Sequence, residues 1–137
     1  MPMVVIDTSA TLALVLADEE GADVASVVRE VVVNNGQILV PSLFWYELGN
    51  GMLSAERARG IGETAWEQAS ALLGRLPLVT DTDLGEAARG RIMSVAEEHA
   101  LTYYDAAYLE LALRLHCRLK SFDAHLLALS SRYPLIG

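Results

Sequence analysis

One stretch of the chain limits the possible folds more than any other. Between Leu101 and Leu127 it reads LTYYDAAYLELALRLHCRLKSFDAHLL. The spacing predicts a helix over Tyr104–His116, a short strand over Arg118–Phe122, and Asp123 where that strand ends and the next helix begins. In open α/β sheets, ligands collect at this edge. The stretch therefore predicts an α/β fold with an aspartate at the carboxyl edge of its sheet.

Asp105, near the start of the predicted helix, is expected to face away from water. Glu110 and Arg114 are four residues apart and are expected to form an ion pair that faces solvent. At about 100° per residue, Asp105 lies about 140° from Glu110 and about 180° from Arg114 around the helix. A carboxylate on the dry side of a helix is costly unless something pairs with it. Asp105 is therefore a second candidate for the carboxyl edge.

Short apolar strands alternate with helices along the chain. Runs typical of strands lie at Met3–Ile6, Ile38–Val40, Leu76–Val79 and Tyr133–Ile136. Helices, with their caps, are predicted at Ala10–Ala17, Gly21–Val33, Ser42–Arg59, Glu63–Gly74 and Asp83–His99. Such alternation predicts a parallel sheet between two helical layers. We predict a three-layer α/β/α fold with a mainly parallel sheet of four or five short strands, built by residues 1–137 as a single domain.

The composition restricts the class of protein. Hydrophobic residues make up 53% of the chain, which suggests a sheet covered on both faces, a subunit interface, or both. No run approaches the roughly 18 apolar residues of a membrane span, and the N-terminus lacks the basic region of a signal peptide. The single Cys117 cannot form an internal disulfide, which fits a reducing compartment. We expect a cytoplasmic protein that does not enter the membrane.

The charge balance is acidic. Eighteen acidic residues outnumber ten basic ones, for a net charge of -8 at pH 7. Nonspecific binding of nucleic acid normally requires a basic surface. If four of the carboxylates hold metal ions, however, their negative charge is neutralised and the bound ions attract phosphate. The net charge therefore does not decide the partner.

Two further acids complete a candidate metal site. Asp7 directly follows the first strand, and Glu47 lies at the margin of the apolar stripe of its helix. Carboxylates are hard ligands suited to Mg²⁺ or Mn²⁺, and paired ions of this kind promote phosphodiester hydrolysis. The predicted metal ligands, and the predicted catalytic residues, are Asp7, Glu47, Asp105 and Asp123.

Each of these acids also has an ordinary structural explanation. Asp7 and Asp123 precede helices, where Asp is a favoured N-cap. Asp105 is spaced to form a capping box with Thr102, and Glu47 is compatible with a solvated helix position. Only the convergence of all four on one edge favours the metal site.

The histidines and the cysteine give weaker signals. His99, His116 and His125 show no metal-ligand spacing and are expected at the surface. Cys117 is expected to be a small buried hydrophobic residue, because no partner for a nucleophilic cysteine is evident.

Four segments of the chain together resemble a known family. They are VVIDTSA, PSLFWYELGNGM, LTYYDAAYLELALRL and LKSFDAHL. In this order and spacing, they resemble the PIN-domain ribonucleases, and most closely the VapC-type toxins of bacterial and archaeal toxin-antitoxin modules. The resemblance covers essentially the whole chain.

The resemblance implies Mg²⁺- or Mn²⁺-dependent endonucleolytic cleavage of RNA that leaves a 5′-phosphate and a 3′-hydroxyl. It identifies Asp7, Glu47, Asp105 and Asp123 as the acidic metal site, with Ser9, Asn50 and Ser121 as supporting polar residues. Ser121 stands where the family more often has Thr, and the exchange keeps the hydroxyl. A homodimer is also implied, as is a cognate VapB-type antitoxin whose C-terminal segment covers the active groove.

Two other functions remain open from the sequence. The chain is compatible with a non-catalytic PIN-like domain that binds RNA or protein and keeps the acids as a structural metal site. A metal-dependent phosphatase fits less well, because Asp7-Thr8-Ser9 lacks the second Asp that a phospho-aspartyl enzyme uses two residues on.

Overall fold

The computed structural model describes residues 1–137 and contains a four-stranded parallel sheet. The strands, in the spatial order β3-β2-β1-β4, have the bounds β1 (Met3–Ile6), β2 (Gln37–Pro41), β3 (Leu78–Asp81) and β4 (Arg118–Lys120). All three neighbouring pairs are parallel, and Val5 on β1 lies opposite both Leu39 and Leu119. The predicted α/β class with a parallel sheet is therefore confirmed.

The edge strand predicted at Tyr133–Ile136 is reduced to a single bridge. Ile136 pairs in parallel with Leu119, and Leu119 donates its backbone N–H to Leu135 O. Pro134 has no N–H to donate to a ladder, which opposes a longer strand here. The sheet therefore has four strands.

Seven helices pack around the sheet. They are α1 (Thr8–Val15), α2 (Gly21–Val33), α3 (Leu43–Arg59), α4 (Ala65–Leu73), α5 (Glu86–His99), α6 (Tyr103–Leu115) and α7 (Ala124–Leu127). The predicted starts of α1 and α5 were misplaced: α1 begins two residues earlier because Asp7 caps it, and Gly85 rather than Asp83 occupies the N-cap of α5. None of the helices combines the length and apolarity needed to cross a membrane.

The core lies on both faces of the two central strands. Val5, Ile6, Ile38 and Val40 are completely inaccessible to solvent, as expected for parallel strands covered by helices on both sides. α6 is also deeply embedded, since every residue from 106 to 112 is buried. This burial holds the N-terminal end of α6, and with it Asp105, in a fixed position against the sheet.

Glu110 on α6 does not face water, contrary to the prediction. The ion pair with Arg114 does form, with Arg114 Nε 2.9 Å from Glu110 Oε1. Glu110 is only 5% exposed, however, because α5 packs over it and Arg91 Nε donates to the same oxygen at 2.9 Å. Arg114 also donates to Asp81 Oδ2 at 2.6 Å, so the network joins α5, α6 and the end of β3. The prediction was wrong because the residue pattern of α6 alone does not show that α5 packs over Glu110.

We expect Glu110→Gln to lower the free energy of unfolding by about 1.5 kcal/mol, because Arg91 and Arg114 lose the negative charge and one of the two oxygens to which they donate. Urea denaturation followed by circular dichroism measures this change. Glu97→Gln is the matched control: Glu97 is exposed on α5 without an ion pair, and its loss should change stability by less than about 0.5 kcal/mol. Equal unfolding midpoints for the two variants would contradict a structural role for Glu110.

Candidate metal centre

The ends of β1 and β4 bring two of the predicted acids to the same edge. These strands are parallel neighbours, with Ile6 opposite Lys120, so the residues that follow them emerge together. Asp7 N also donates to Lys120 O at 3.2 Å. Asp7 then caps α1 and Asp123 caps α7. The N-cap roles considered from the sequence are therefore real, and they place both carboxylates at the carboxyl edge of the sheet.

Asp7 is the most deeply buried of the four acids, at 4% exposure. Its Oδ1 accepts hydrogen bonds from Ser9 Oγ at 2.6 Å and from Ala10 N at 2.9 Å, and its Oδ2 accepts one from Ser121 Oγ. Burial raises the pKa of Asp7, these three donors oppose that rise, and the negative charge of Asp123 adds to it. The pKa of Asp7 remains above its ordinary value, so the folded protein disfavours the charged form of this carboxylate.

Ser9 and Ser121 tie the two strand ends together. Each serine donates to Asp7, and each also accepts a hydrogen bond from the turn between β4 and α7. Ser9 Oγ accepts from Phe122 N at 2.9 Å, and Ser121 Oγ accepts from Asp123 N at 2.9 Å. The two hydroxyls therefore fix Asp123 relative to Asp7.

Asp123 and Asp105 approach the edge from two helix starts. Asp123 Oδ1 accepts from the backbone N–H groups of His125 and Leu126 at 2.9 and 3.1 Å. Asp105 lies in the first turn of α6, where its backbone N–H donates to Thr102 Oγ1 at 3.1 Å, which is one half of the predicted capping box. Partial burial raises the pKa of Asp105, and the charge of Asp123 raises it further, with smaller contributions from the other two acids. The four carboxylates therefore repel one another.

Glu47 is held by two side chains that the sequence analysis missed. Tyr108 OH donates to Glu47 Oε1 at 2.6 Å, and Thr8 Oγ1 donates to the same oxygen at 3.2 Å. Burial and the bond to Glu47 raise the pKa of Tyr108, so its hydroxyl stays protonated and keeps donating. A signal was present in the sequence: Tyr108 lies three residues after Asp105, on the same face of α6. Glu47 is consequently a half-buried, fixed acid rather than a solvated one.

The closest cluster of potential ligand atoms contains a residue that was not predicted. One carboxylate oxygen each of Asp105 and Asp123 and one ring nitrogen of His125 all lie within 4.8 Å of one another. Neither Asp7 nor Glu47 belongs to a group this tight, although both influence the pKa of Asp105. The structure thus brings the four acids to one edge, with Asp105 and Asp123 closest to His125.

Three other predicted residues have clear positions. Asn50 is exposed on α3 and makes no hydrogen bond to any of the four acids, so the structure does not bring it into the cluster. His99 was wrongly expected at the surface: its side chain is 4% exposed and its Nε2 lies 2.8 Å from Tyr133 OH. Cys117 is buried, as predicted, and burial raises the pKa of its thiol.

The donor set fits a divalent cation. No Lys or Arg forms an ion pair with Asp7, Glu47, Asp105 or Asp123, although the chain forms six Lys or Arg ion pairs elsewhere. Carboxylates this close together, with pKa values raised by burial and repulsion, are the hard oxygen ligands that Mg²⁺ and Mn²⁺ bind. A cation between them would neutralise charge that no Lys or Arg of the chain neutralises.

Several solved structures share this fold. PAE2754 from Pyrobaculum aerophilum is 24% identical, with a TM-score of 0.68 over 93% of this chain and 78% of the other. A toxin-antitoxin complex from Klebsiella pneumoniae is 14% identical, with a TM-score of 0.67 over 98% of this chain and 95% of the matched chain. VapBC2 from Rickettsia felis, bound to a DNA fragment from its promoter, is 15% identical, with a TM-score of 0.65 and the same coverage. These likenesses show the fold.

The sequence itself identifies the family. Among curated proteins, no sequence matches the chain. The sequence profile of the PIN domain, however, matches residues 4–131, a range that includes all four acids and the strands and helices that position them. The chain therefore belongs to the PIN domain family.

Proposed function

We propose that the chain is a divalent-metal-dependent endoribonuclease and the toxin of a VapBC-type toxin-antitoxin pair, with residues 1–137 forming one PIN domain. The observation that supports this most strongly is the cluster of four carboxylates, none of which pairs with a Lys or an Arg. PIN domains are in general metal-dependent nucleases, and the fold is similar to those of toxin-antitoxin proteins from Klebsiella pneumoniae and Rickettsia felis. The proposed substrate is RNA, and the proposed location is the cytoplasm.

Asp7, Glu47, Asp105 and Asp123 are the proposed metal ligands and catalytic residues, with Mg²⁺ or Mn²⁺ as the proposed ion. When bound, such an ion lowers the pKa of the attacking water and stabilises the charge that develops on the phosphate. The protein residues position this chemistry. Asp7, Asp105 and Asp123 would hold the ion, with the carboxylate of Asp7 fixed by Ser9 and Ser121.

Glu47 is suited to orienting the attacking water or a second ion. Tyr108 and Thr8 occupy its Oε1, whereas its Oε2 makes no hydrogen bond to the protein. A fixed acceptor of this kind can accept a hydrogen bond from water without first losing rotational freedom. Ser9 and Ser121 are proposed as supporting residues, because they hold Asp7 and the Asp123 turn together. Asn50 is proposed as a third supporting polar residue and lies exposed on α3.

The surface of the chain is suited to protein partners. An apolar groove between α3 and α4 is lined by Met52, Leu53, Ile61 and Trp66, and large apolar side chains such as Trp66 are half exposed there. The acidic edge and the net charge of -8 favour a partner that carries basic residues. These features support the proposed VapB-type antitoxin and the proposed homodimer.

We expect Asp105→Asn and Asp7→Asn each to reduce RNA cleavage by at least about a hundredfold, because loss of one negative charge weakens a shared ion site. The measurement is digestion of purified RNA with Mg²⁺ or Mn²⁺, with and without EDTA. Glu97→Gln, which removes an exposed charge on α5, should retain full activity.

Full activity of both aspartate variants would count against the proposed function. Metal binding by the wild-type protein without any RNA cleavage would instead favour the alternative, a non-catalytic PIN-like domain with a structural metal site.

The acidic cluster should destabilise the metal-free protein at neutral pH. The pKa of Asp105 is raised by folding, so its stabilising contribution is fully present below the unfolded value of 3.8 and is lost as pH rises through the higher folded value. In EDTA at pH 7, we therefore expect Asp105→Asn to have a higher melting temperature than wild type.

Differential scanning calorimetry measures this difference. The gain should shrink toward pH 4, and millimolar Mn²⁺ should reverse the order of the two proteins, because the ion stabilises only the folded state that binds it. A wild-type protein that is more stable than Asp105→Asn in EDTA at pH 7 would show that the acids do not repel one another as inferred.

A further inference from the structure

We propose that His125 supplies a nitrogen ligand to the ion between Asp105 and Asp123 and makes this centre prefer Mn²⁺ to Mg²⁺. The inference rests on the proposed metal site. It adds a residue that the acidic set does not contain and a preference that carboxylates alone do not produce.

The distances place His125 within reach of a shared ion. Its ring nitrogen and one oxygen from each of Asp105 and Asp123 lie within 4.8 Å of one another, and His125 Nδ1 lies 3.8 Å from Asp123 Oδ1. Two ligands that each lie about 2.1 Å from one ion are at most about 4.2 Å apart. The 3.8 Å between His125 and Asp123 already meets this limit. The other separations are at most 4.8 Å, a difference that rotation of the exposed His125 side chain would close.

The backbone at the start of α7 sets the spacing between His125 and Asp123. The N–H of His125 donates to Asp123 Oδ1 at 2.9 Å, so the histidine and the carboxylate belong to the same capped turn. The imidazole is 78% exposed and makes no hydrogen bond through its ring. Its nitrogens are therefore available to a ligand, and neither has to break a hydrogen bond to bind one.

Each of the other two histidines lacks one of these properties. The ring of His99 is buried and held by Tyr133 OH. His116 follows the last residue of α6, at the opposite end of that helix from Asp105. Of the three histidines, only His125 lies in a group of ligand atoms that could share an ion.

The chemistry of the three ligands determines the preferred ion. Mg²⁺ demands a near-ideal octahedron of oxygen ligands and gives up its waters reluctantly. Imidazole nitrogen suits first-row transition ions, while carboxylates suit Mn²⁺ as well as Mg²⁺. A centre with two carboxylates and one imidazole therefore gains affinity for Mn²⁺ without a matching gain for Mg²⁺.

Direct metal binding tests this preference independently of catalysis. We compare the wild-type protein, His125→Asn and the matched control His116→Asn by isothermal titration calorimetry with MnCl₂ and with MgCl₂. Asn also tolerates the left-handed backbone at position 116, where φ is 52°. We expect His125→Asn to weaken Mn²⁺ binding about tenfold and to change Mg²⁺ binding by less than about twofold, whereas His116→Asn should match wild type.

Pulsed electron paramagnetic resonance of bound Mn²⁺ detects the nitrogen ligand itself. Wild type and His116→Asn should show the ¹⁴N coupling of a coordinated imidazole, and His125→Asn should lose it. Thermal melting of each variant verifies folding, and the wild-type spectrum tests the ligand without any substitution.

The outcomes separate this inference from the proposed function. Mn²⁺ bound without a ¹⁴N coupling, or with equal affinity in wild type and His125→Asn, would overturn the role of His125 while leaving the carboxylate site intact. Failure of the wild-type protein to bind either ion would overturn both the metal site and the role of His125.

Discussion

The hydrogen bonds that hold the buried carboxylate of Asp7 are the interactions on which the rest of the site depends. Three donors satisfy this carboxylate: the hydroxyls of Ser9 and Ser121 and the backbone N–H of Ala10. A charge this deeply buried is tolerated only with such partners. The same hydroxyls accept hydrogen bonds from the turn after β4, so stabilising Asp7 also fixes the position of Asp123. One set of bonds therefore joins two strand ends and builds the carboxyl edge.

The protein does not balance the negative charge of that edge with Lys or Arg side chains. Other acids in the chain have basic partners: Glu110 has two arginines, and Asp23 has Lys120 at 2.5 Å. None of the four acids of the edge pairs with a Lys or an Arg, and burial and the charges of neighbouring acids raise the pKa values of Asp7 and Asp105. Functional sites commonly retain such unfavourable charge, because the ligand rather than the protein neutralises it.

α6 connects the acidic edge to the core. Its buried middle packs on the sheet, its first turn carries Asp105, and one turn later Tyr108 reaches Glu47 on α3. Since Tyr108 is 2% exposed and its hydroxyl is bonded to both Glu47 and Thr8, three separate elements fix a single carboxylate. The rigidity of the core is thereby transmitted to groups that lie at the surface.

What the sequence determined by itself was local. The N-cap positions of Asp7 and Asp123 were predictable because an N-cap acts within three residues, although β4 ends at Lys120 and not at the predicted Phe122. The alternation of elements predicts the parallel sheet because strand and helix periods differ. Tertiary structure decided what lies between distant segments. Tyr108 and Glu47 are 61 residues apart in the chain, yet their side chains form a hydrogen bond. Glu110 is covered by α5 and His99 contacts Tyr133, and the residue pattern of one helix does not predict contacts with other segments. His125 is a candidate ligand because β4 packs beside β1 and the start of α6 lies at the same edge, which places His125 near Asp105 and Asp123. Metal ligation depends on distances in space, and the spacing of these residues along the chain does not contain those distances.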